Sequence, residues 1–264
     1  YIALTPNGEF LVSRRGNVNG NVENQLVWYA ENGTYIRHIF AGDINTHIEH
    51  KPLFFANGDA LIAGITDGDL FLTRITDAGS IVWHTVNEDL GMRETIRLQA
   101  DDSVVVLARG HNSPMVLTHI APGGVVLDAR AYDPGPQNYP ASFAPTDDGG
   151  WLILLNKYAA YLHRGIGALR VNANGDTLWH REILPMETAY AAFGMEQLPN
   201  GGYIVHGDRY TGGQYDLSAL RIDDEANILW EGIPYGPGHD RGRSIVMLPG
   251  ADFAHFGTTS SYGA

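Results

Sequence analysis

"LPNGGYIVHGDRYTGGQYDLSALRIDDEANILWEG", residues 198–232, sets two turn marks between apolar runs. The first is Pro199-Asn200-Gly201-Gly202. The second is Glu225-Ala226-Asn227, followed by a run that ends in Trp230. Both marks recur in alternation along the chain. The first returns as Pro6-Asn7-Gly8, Ala56-Asn57-Gly58, Ala100-Asp101-Asp102, Asp147-Asp148-Gly149-Gly150 and Pro249-Gly250-Ala251. The second returns as Glu31-Asn32-Gly33, Asp77-Ala78-Gly79 before Trp83, Pro122-Gly123-Gly124, and Asn174-Gly175-Asp176 before Trp179. Asn-Gly and Asp-Gly between apolar runs signal hairpins, and a type I′ turn needs positive φ at both central residues. Each repeat is therefore expected to hold two hairpins and four strands, A to D. The first turn falls near 8, 58, 102, 149, 201 and 251, a period of 44 to 52 residues. The link between the hairpins reads as short at 66–69 and as a long loop at 16–24, 158–165 and 210–214.

A four-stranded unit of this length without helical periodicity predicts a β-propeller blade in an all-β fold. One small sheet cannot bury both faces alone, whereas stacked sheets bury them all. The expected blades are 1–48, 49–94, 95–140, 141–191 and 192–241, with a partial sixth at 242–264 in one propeller domain. That sixth blade shows only strand A at 244–248 and strand B at 253–258. Trp83, Trp179 and Trp230 are expected on fourth strands, packed between neighbouring blades. Arg37 and Leu127 stand in their place in the first and third repeats.

Residues 199–230 resemble a broad group of bacterial and archaeal secreted β-propeller repeat proteins. Their blades read Asp-Gly-Gly-Tyr, then Asp-x-x-Leu-x-Lys/Arg, then Gly-x-x-x-Trp. Here the pattern is carried by Gly201-Gly202-Tyr203, Gly207, Asp216, Leu220-Arg221-Ile222 and Trp230. Blade two carries it through Gly58, Gly64, Asp69, Leu72-Thr73-Arg74-Ile75, Gly79 and Trp83. Blade four does so through Gly149-Gly150-Trp151, Leu169-Arg170-Val171, Gly175 and Trp179. The resemblance implies an extracellular or cell-surface setting. It does not select an activity, because one fold hosts many unrelated ones.

Composition narrows the partners. The 264 residues carry a formal net charge of −13, which repels phosphate backbones and argues against nucleic acid. The longest apolar runs, such as 104–108, fall far short of the ~20 residues of a membrane-spanning helix, so no membrane insertion is expected. There is no cysteine, which excludes thiolate nucleophiles, cysteine–zinc sites and disulfides. The chain opens on Tyr1 rather than Met and reads as processed, trimmed or a fragment.

No cofactor is expected. Asp67 and Asp69 offer oxygen ligands for calcium, but a hairpin turn explains them equally well. His47 and His50, with Glu49 between them, would point to opposite faces of an extended segment and make no preset metal pair. "GPGHDRGR", residues 236–243, is expected to be a loop between blades five and six. It supplies His239, Asp240 and Arg241, and the loops between other blades add Arg93, Tyr139 and Tyr190 as rim candidates. His beside Asp could form an acid–base pair, and arginines could hold a carboxylate. Such a polar, aromatic rim suits a glycan or a peptide.

The expected function is a non-enzymatic binding, adhesive or assembly-forming module. The alternative is a propeller-type lyase or glycoside hydrolase acting from an axial face. For assembly, strand B of the partial blade offers an edge at Phe253, His255, Phe256 and Thr258. Its missing neighbours are expected from residues outside this chain, from a second subunit by strand addition or self-association, or from a shielding loop such as 16–24.

Overall fold

Asn7-Gly8 and Asn57-Gly58 close hairpins, but not as type I′ turns. Gly8 N–H donates to Thr5 O (3.0 Å), Thr5 N–H donates to Glu9 O (2.8 Å), and within the turn only Gly8, its last residue, has positive φ (81°). This is a type I turn completed by a left-handed residue, the three-residue hairpin loop. The same pattern recurs at Gly33, Gly58, Gly79, Gly124, Gly149, Gly175 and Gly201. Pro6 suits it, because proline presets φ for the second position of a type I turn. Type I′ geometry occurs instead between strands B and C, where Asp67-Gly68 (φ 52° and 97°) and Gly212-Gly213 (φ 59° and 96°) span two-residue loops.

The computed structural model describes residues 1–18, 21–40, 46–48, 50–87, 92–109, 114–159, 163–232, 238–248, 250 and 252–260. Sheet one is β1 (Ile2–Leu4), β2 (Phe10–Val18), β3 (Asn21–Tyr29) and β4 (Tyr35–Phe40). In sheet two, β5 (Thr46–Ile48) and β6 (Leu53–Phe54) both pair with β7 (Ala60–Thr66), followed by β8 (Asp69–Ile75) and β9 (Ile81–Asn87). Sheet three is β10 (Met92–Leu98), β11 (Val104–Arg109), β12 (Met115–Ile120) and β13 (Val126–Tyr132). Sheet four is β14 (Asn138–Pro145), β15 (Trp151–Ala159), β16 (His163–Val171) and β17 (Thr177–Leu184). Sheet five is β18 (Tyr190–Gln197), β19 (Tyr203–Thr211), β20 (Gln214–Ile222) and β21 (Ile228–Gly232). Sheet six pairs β22 (Asp240–Met247) with β23 (Phe253–Thr259). All pairings are antiparallel, and the helical structure among the described residues is one 3-10 turn, Met186–Thr188. The protein is thus all-β, built from successive antiparallel meanders.

The long loops expected between strands B and C are mostly strand. Gly16 pairs with Glu23, and the register runs on to Val18 and Asn21. Tyr158 pairs with Arg164, and Thr211 with Gln214. Asn19-Gly20, between Val18 and Asn21, lies outside the described residues. Backbone pairing continues through these segments, which the turn-rich composition hides.

The chain divides into two compact units, Tyr1–Ala131 and Tyr132–Ala264. In the first, Leu26 and Trp28 of sheet one pack on Ile62, Phe71 and Ile75 of sheet two. The opposite face of sheet two, with Leu61, Leu70 and Leu72, packs on Val104, Val106 and Ile120 of sheet three. In the second unit, Leu152, Leu154 and Ile166 of sheet four meet Tyr203, Val205 and Leu220 of sheet five. The other face of sheet five, with Ile204 and Ala219, meets Ile245, Met247 and Phe253. Because inner strands are covered on both faces, they read as unbroken apolar runs. All six residues of β11 are buried. The fourth strands are the exposed ones, as in β9 and β13.

Two recurring side chains tie several of the sheets to themselves and to the next. The repeat's arginine lies on strand C and pins the A–B turn of its own sheet. Arg74 Nε donates to Asp59 Oδ2 (2.8 Å), Arg170 Nη2 to Asp148 Oδ1 (2.5 Å) and Arg221 Nη2 to Asn200 Oδ1 (3.3 Å). Arg170, the Thr146 hydroxyl and the Gly150 N–H together hold the Asp148 carboxyl well below the usual carboxylate range. On strand D, a donor reaches the C–D turn of the following sheet. Arg37 gives a hydrogen bond to Asp77 O, Trp83 Nε1 to Pro122 O (2.9 Å) and Arg181 Nη1 to Glu225 O (2.8 Å). Trp83, Trp179 and Trp230 all occupy fourth strands, each opposite the repeat's arginine: Arg74, Arg170 and Arg221. Sheet one exchanges the two, with Trp28 on strand C opposite Arg37 on strand D, and the Arg37 guanidinium lies 4.6 Å above the Trp28 ring.

First strands are bulged in β10, β14, β18 and β22, and sheet two breaks its first strand into β5 and β6 near Pro52, which has no N–H to give. Strand B answers with the glycine of the repeat. A Cβ at Gly64 would stand 1.9 Å from His47 O, and one at Gly207 2.0 Å from Ala191 O.

The Arg74–Asp59 pair is buried, so removing one partner strands the other. Arg74→Met is expected to cost about 3 kcal/mol, and Arg74→Met with Asp59→Leu to recover most of it. Urea unfolding of the two variants measures both effects.

Candidate functional site

The Gly212-Gly213 hairpin brings Tyr210 and Tyr215 directly opposite each other at the end of sheet five. Their rings lie 5.0 Å apart, tilted by 58°. The B and C strands run the full length of this hairpin, so the tyrosines stand on paired backbone rather than on a loop. Sheet six closes over them. The Arg241 guanidinium lies 4.0 Å above the Tyr215 ring, a cation–π contact that holds the charge at the surface. His239 Nδ1 accepts the Tyr215 backbone N–H (3.0 Å), with ring centroids 6.0 Å apart. The His239 backbone is itself held, its N–H donating to Ser260 Oγ and its O accepting Ser260 N–H, both at 2.8 Å. With Nδ1 occupied as an acceptor, Nε2 carries the proton and is the ring's remaining donor.

A buried layer lies beneath this surface. Asp208 is 3% exposed, and its Oδ1 accepts the Gly242 N–H (2.8 Å). Burial pushes its carboxyl up, against the Gly242 hydrogen bond and the charges of Arg241, Arg243 and Arg164. Next to it, the His206 and His255 rings meet edge to face at 5.3 Å. Burial, with His255 adding, pulls the His206 imidazole down to about 4. Its Nδ1 is buried without a hydrogen-bond partner among the described residues. Sheet four contributes a second aromatic–cation group at its own hairpin end. Tyr139 and Tyr158 meet edge to face at 5.5 Å, and Arg164 lies 5.5 Å from the Tyr158 ring.

The expected rim residues divide. His239, Arg241 and Tyr139 are exposed or half-buried, and His239 and Arg241 are brought together. Asp240 and Arg241 belong to β22 rather than to a loop. The strand begins four residues before the expected 244, because Asp240 pairs with Thr259 and Arg241 with Thr258 across a bulge at Gly242. Asp240 accepts the Thr259 hydroxyl. Tyr190 is not a rim residue: it is fully buried in the core between sheets four and five, and its hydroxyl donates to Ser218 O (3.3 Å). Burial pushes that phenol well above its ordinary range. Arg93 lies in β10, not in a loop, and its side chain is outside the described residues. Glu187, near Tyr190, is exposed on the 3-10 turn, and Glu88 lies outside the described residues.

Of the edge candidates, Phe253 and His255 turn toward sheet five. Phe253 stacks on Trp230 (6.1 Å, 13°), and His255 meets His206 edge to face. Phe256 and Thr258 point to the opposite face and are exposed, as the period of two requires. Asp67 is the left-handed first residue of a hairpin loop. His47 lies beside Arg15 (3.2 Å), and its neighbour Glu49 is outside the described residues. No group of three or more His, Cys, Asp or Glu among the described residues is placed to hold a metal ion.

Tyr210, Tyr215, Asp208 and Arg164 escaped sequence reading. Their one signal was the pair of tyrosines flanking Gly-Gly in "YTGGQY", residues 210–215, which a hairpin places face to face.

No protein-family model and no curated protein matches the chain. Solved structures do. A protein of unknown function from Bacteroides caccae is 17% identical with a TM-score of 0.61, over 91% of this chain and 79% of that one. The dihydro-heme d1 dehydrogenase NirN is 15% identical with a TM-score of 0.60, over 95% of this chain and 50% of that one. TolB from Acinetobacter baumannii is 14% identical with a TM-score of 0.54, over 90% of this chain and 54% of that one.

His206 couples the site to pH. The unfolded imidazole titrates near 6.5 and the folded one near 4, so the unfolded chain binds the proton first. Stability present above about pH 6.5 is therefore lost as pH falls toward 4, by up to about 3 kcal/mol. Urea midpoints measured from pH 7 to 4 should fall steeply, and His206→Leu should flatten that slope.

NirN and TolB are propeller-like, and at such identities the likeness shows a shared all-β, propeller-like fold.

Proposed function

We propose that the chain is a β-propeller module, its sheets arranged as blades of a six-bladed ring, that works outside the cell as a non-enzymatic binding protein. Its ligand is a glycan bearing carboxylates, taken up at the edge formed by Tyr210, Tyr215, His239 and Arg241. The observation that carries this reading is the Arg241 guanidinium held over Tyr215 with His239 anchored beside it. Tyrosine rings offer apolar faces to sugar C–H groups, and the guanidinium fork matches a carboxylate. Arg164 and Arg243 near Asp208 add positive charge at this end of a chain whose net charge is −13. Calorimetric titration with oligogalacturonate should show saturable binding, weakened at least about tenfold by His239→Ala with Arg241→Ala. The melting temperature should stay within a few degrees, since surface substitutions cost under about 0.5 kcal/mol each. Equal affinity in the double variant, or equal binding of a neutral oligosaccharide, would contradict the reading.

Assembly by strand addition is the second part of the proposal. Among the described residues β23 pairs with β22 alone, and Phe256 is 54% exposed on it. A second copy adding a strand to β23 would extend sheet six toward the four-stranded pattern of the others. Light scattering should then give masses above the 28.8 kDa of one chain that rise with concentration. Phe256→Lys, which sets a charge on the edge, should return the protein to one chain. A single-chain mass for the wild type at every concentration removes this part of the proposal.

A further inference from the structure

Sheets one and two, within the first unit, do not meet as sheets two and three do. Between two and three, the Trp83 indole covers the C–D turn: a Cβ on Gly124 would stand 2.7 Å from the indole Cγ. The equivalent turn of sheet two ends in Gly79, and the side chain against it is Ile39, whose Cγ2 would lie 2.8 Å from a Cβ there. The tryptophan of sheet one is Trp28 on strand C, buried on the inner side, and its strand D partner Arg37 reaches Asp77 in that turn and Glu9 of its own sheet. An isoleucine thus stands where the next interface has an indole. A cleft of about 390 Å³ opens beside it. Its walls are Ile39, Ile62, Phe71 and Ile75, of which the last three are almost fully buried. Its polar groups are two pairs: Thr46 Oγ1 with Thr66 Oγ1, 3.3 Å apart, and Thr73 Oγ1 with His84 Nδ1, 2.7 Å apart, the exposed His84 ring stacked on Phe71 (6.1 Å, 28°).

We infer that this cleft is a binding site for a small, uncharged, planar aromatic molecule of one or two fused rings bearing one hydrogen-bonding group. The volume lies within the range of small-molecule sites, and apolar walls with a few placed polar groups are their usual make-up. Uncharged follows from the lining, which among the described residues has hydroxyls and an imidazole but no carboxylate, ammonium or guanidinium. Planar follows from the next interface, where the ring of Trp83 stands against the turn that Ile39 meets here. The hydrogen-bonding group of the ligand meets Thr73 and His84, as an indole N–H or a phenol would. This site lies in a different unit from the tyrosine–arginine edge and does not depend on its ligand.

Indole itself is the probe. Titrated into the intact chain with isoleucine methyls and histidine rings labelled for NMR, it should shift Ile39, Ile62 and His84 together in one saturable curve. Ile39→Trp supplies the ring from the protein and should abolish those shifts while raising the melting temperature. Thr73→Val keeps the shape and removes the hydroxyl, and should weaken indole by about fivefold, the worth of one hydrogen bond. Should Ile39→Trp fail to fold, the Thr73→Val comparison decides alone. Absence of saturable shifts in the wild type at millimolar indole, or unchanged affinity in the variant that folds, overturns the site.

Discussion

Sheets with two apolar faces cannot stand alone in water. In β7 and β11 the side chains of both faces are buried, so each sheet needs a neighbour on either side. The rest of the structure follows from meeting that need repeatedly with one local plan. Hairpins build a sheet from adjacent sequence, strand C arginines lock its lower turns, and strand D side chains reach across to the next sheet. Polar groups enter this plan only where they are paired, since a buried guanidinium without its carboxylate would cost more than the pair returns. Arg74 satisfies this by meeting Asp59, Pro122 O and the face of Phe55 at once.

The exchange of tryptophan and arginine in sheet one shows how much the plan tolerates. Trp28 with Arg37 uses the same cross-strand position as Arg74 with Trp83, with the strands reversed. The guanidinium still stacks on an indole and still finds the next turn, so the link between sheets survives. What changes is volume. An indole moved inward fills the core of one sheet and leaves the outer part of the interface to Ile39, and the cleft in the first unit is the result. Shape and chemistry at that position thus trace to a swap of two residues that leaves the fold intact.

Strand number and order were legible in the sequence, because hairpin turns are written by local residues: Asn-Gly and Asp-Gly recur at fixed spacing and each joins neighbours in the chain. The type of turn was not. Type I with a left-handed last residue and type I′ both use Asn-Gly, and loop length, which separates them, depends on which flanking residues pair. The same ambiguity hid the long B–C hairpins, where Gly16 and Gly165 imitate loop composition inside paired strands and the Gly212-Gly213 turn is only two residues long. Tyr190 shows the limit for site residues. A tyrosine next to a turn reads as surface, yet its position opposite Arg209 in β18 faces it into the core between two sheets. Tyr210 and Tyr215 show the converse, since their meeting depends on a register that only the folded hairpin reveals.

The links from fourth strands to the following sheet all run one way. A side chain on the earlier sheet donates, and a backbone carbonyl in a turn of the later sheet accepts. A carbonyl belongs to every residue, so the accepting turn is free to drift in sequence: the acceptors here are Asp77, Pro122 and Glu225, three unlike residues. The donor is constrained instead, and it lies on the fourth strand, the one otherwise most open to change. Copying a unit of this kind within a gene would therefore join old and new sheets through these bonds without a matched pair of side chains having to arise, which makes the array easy to lengthen.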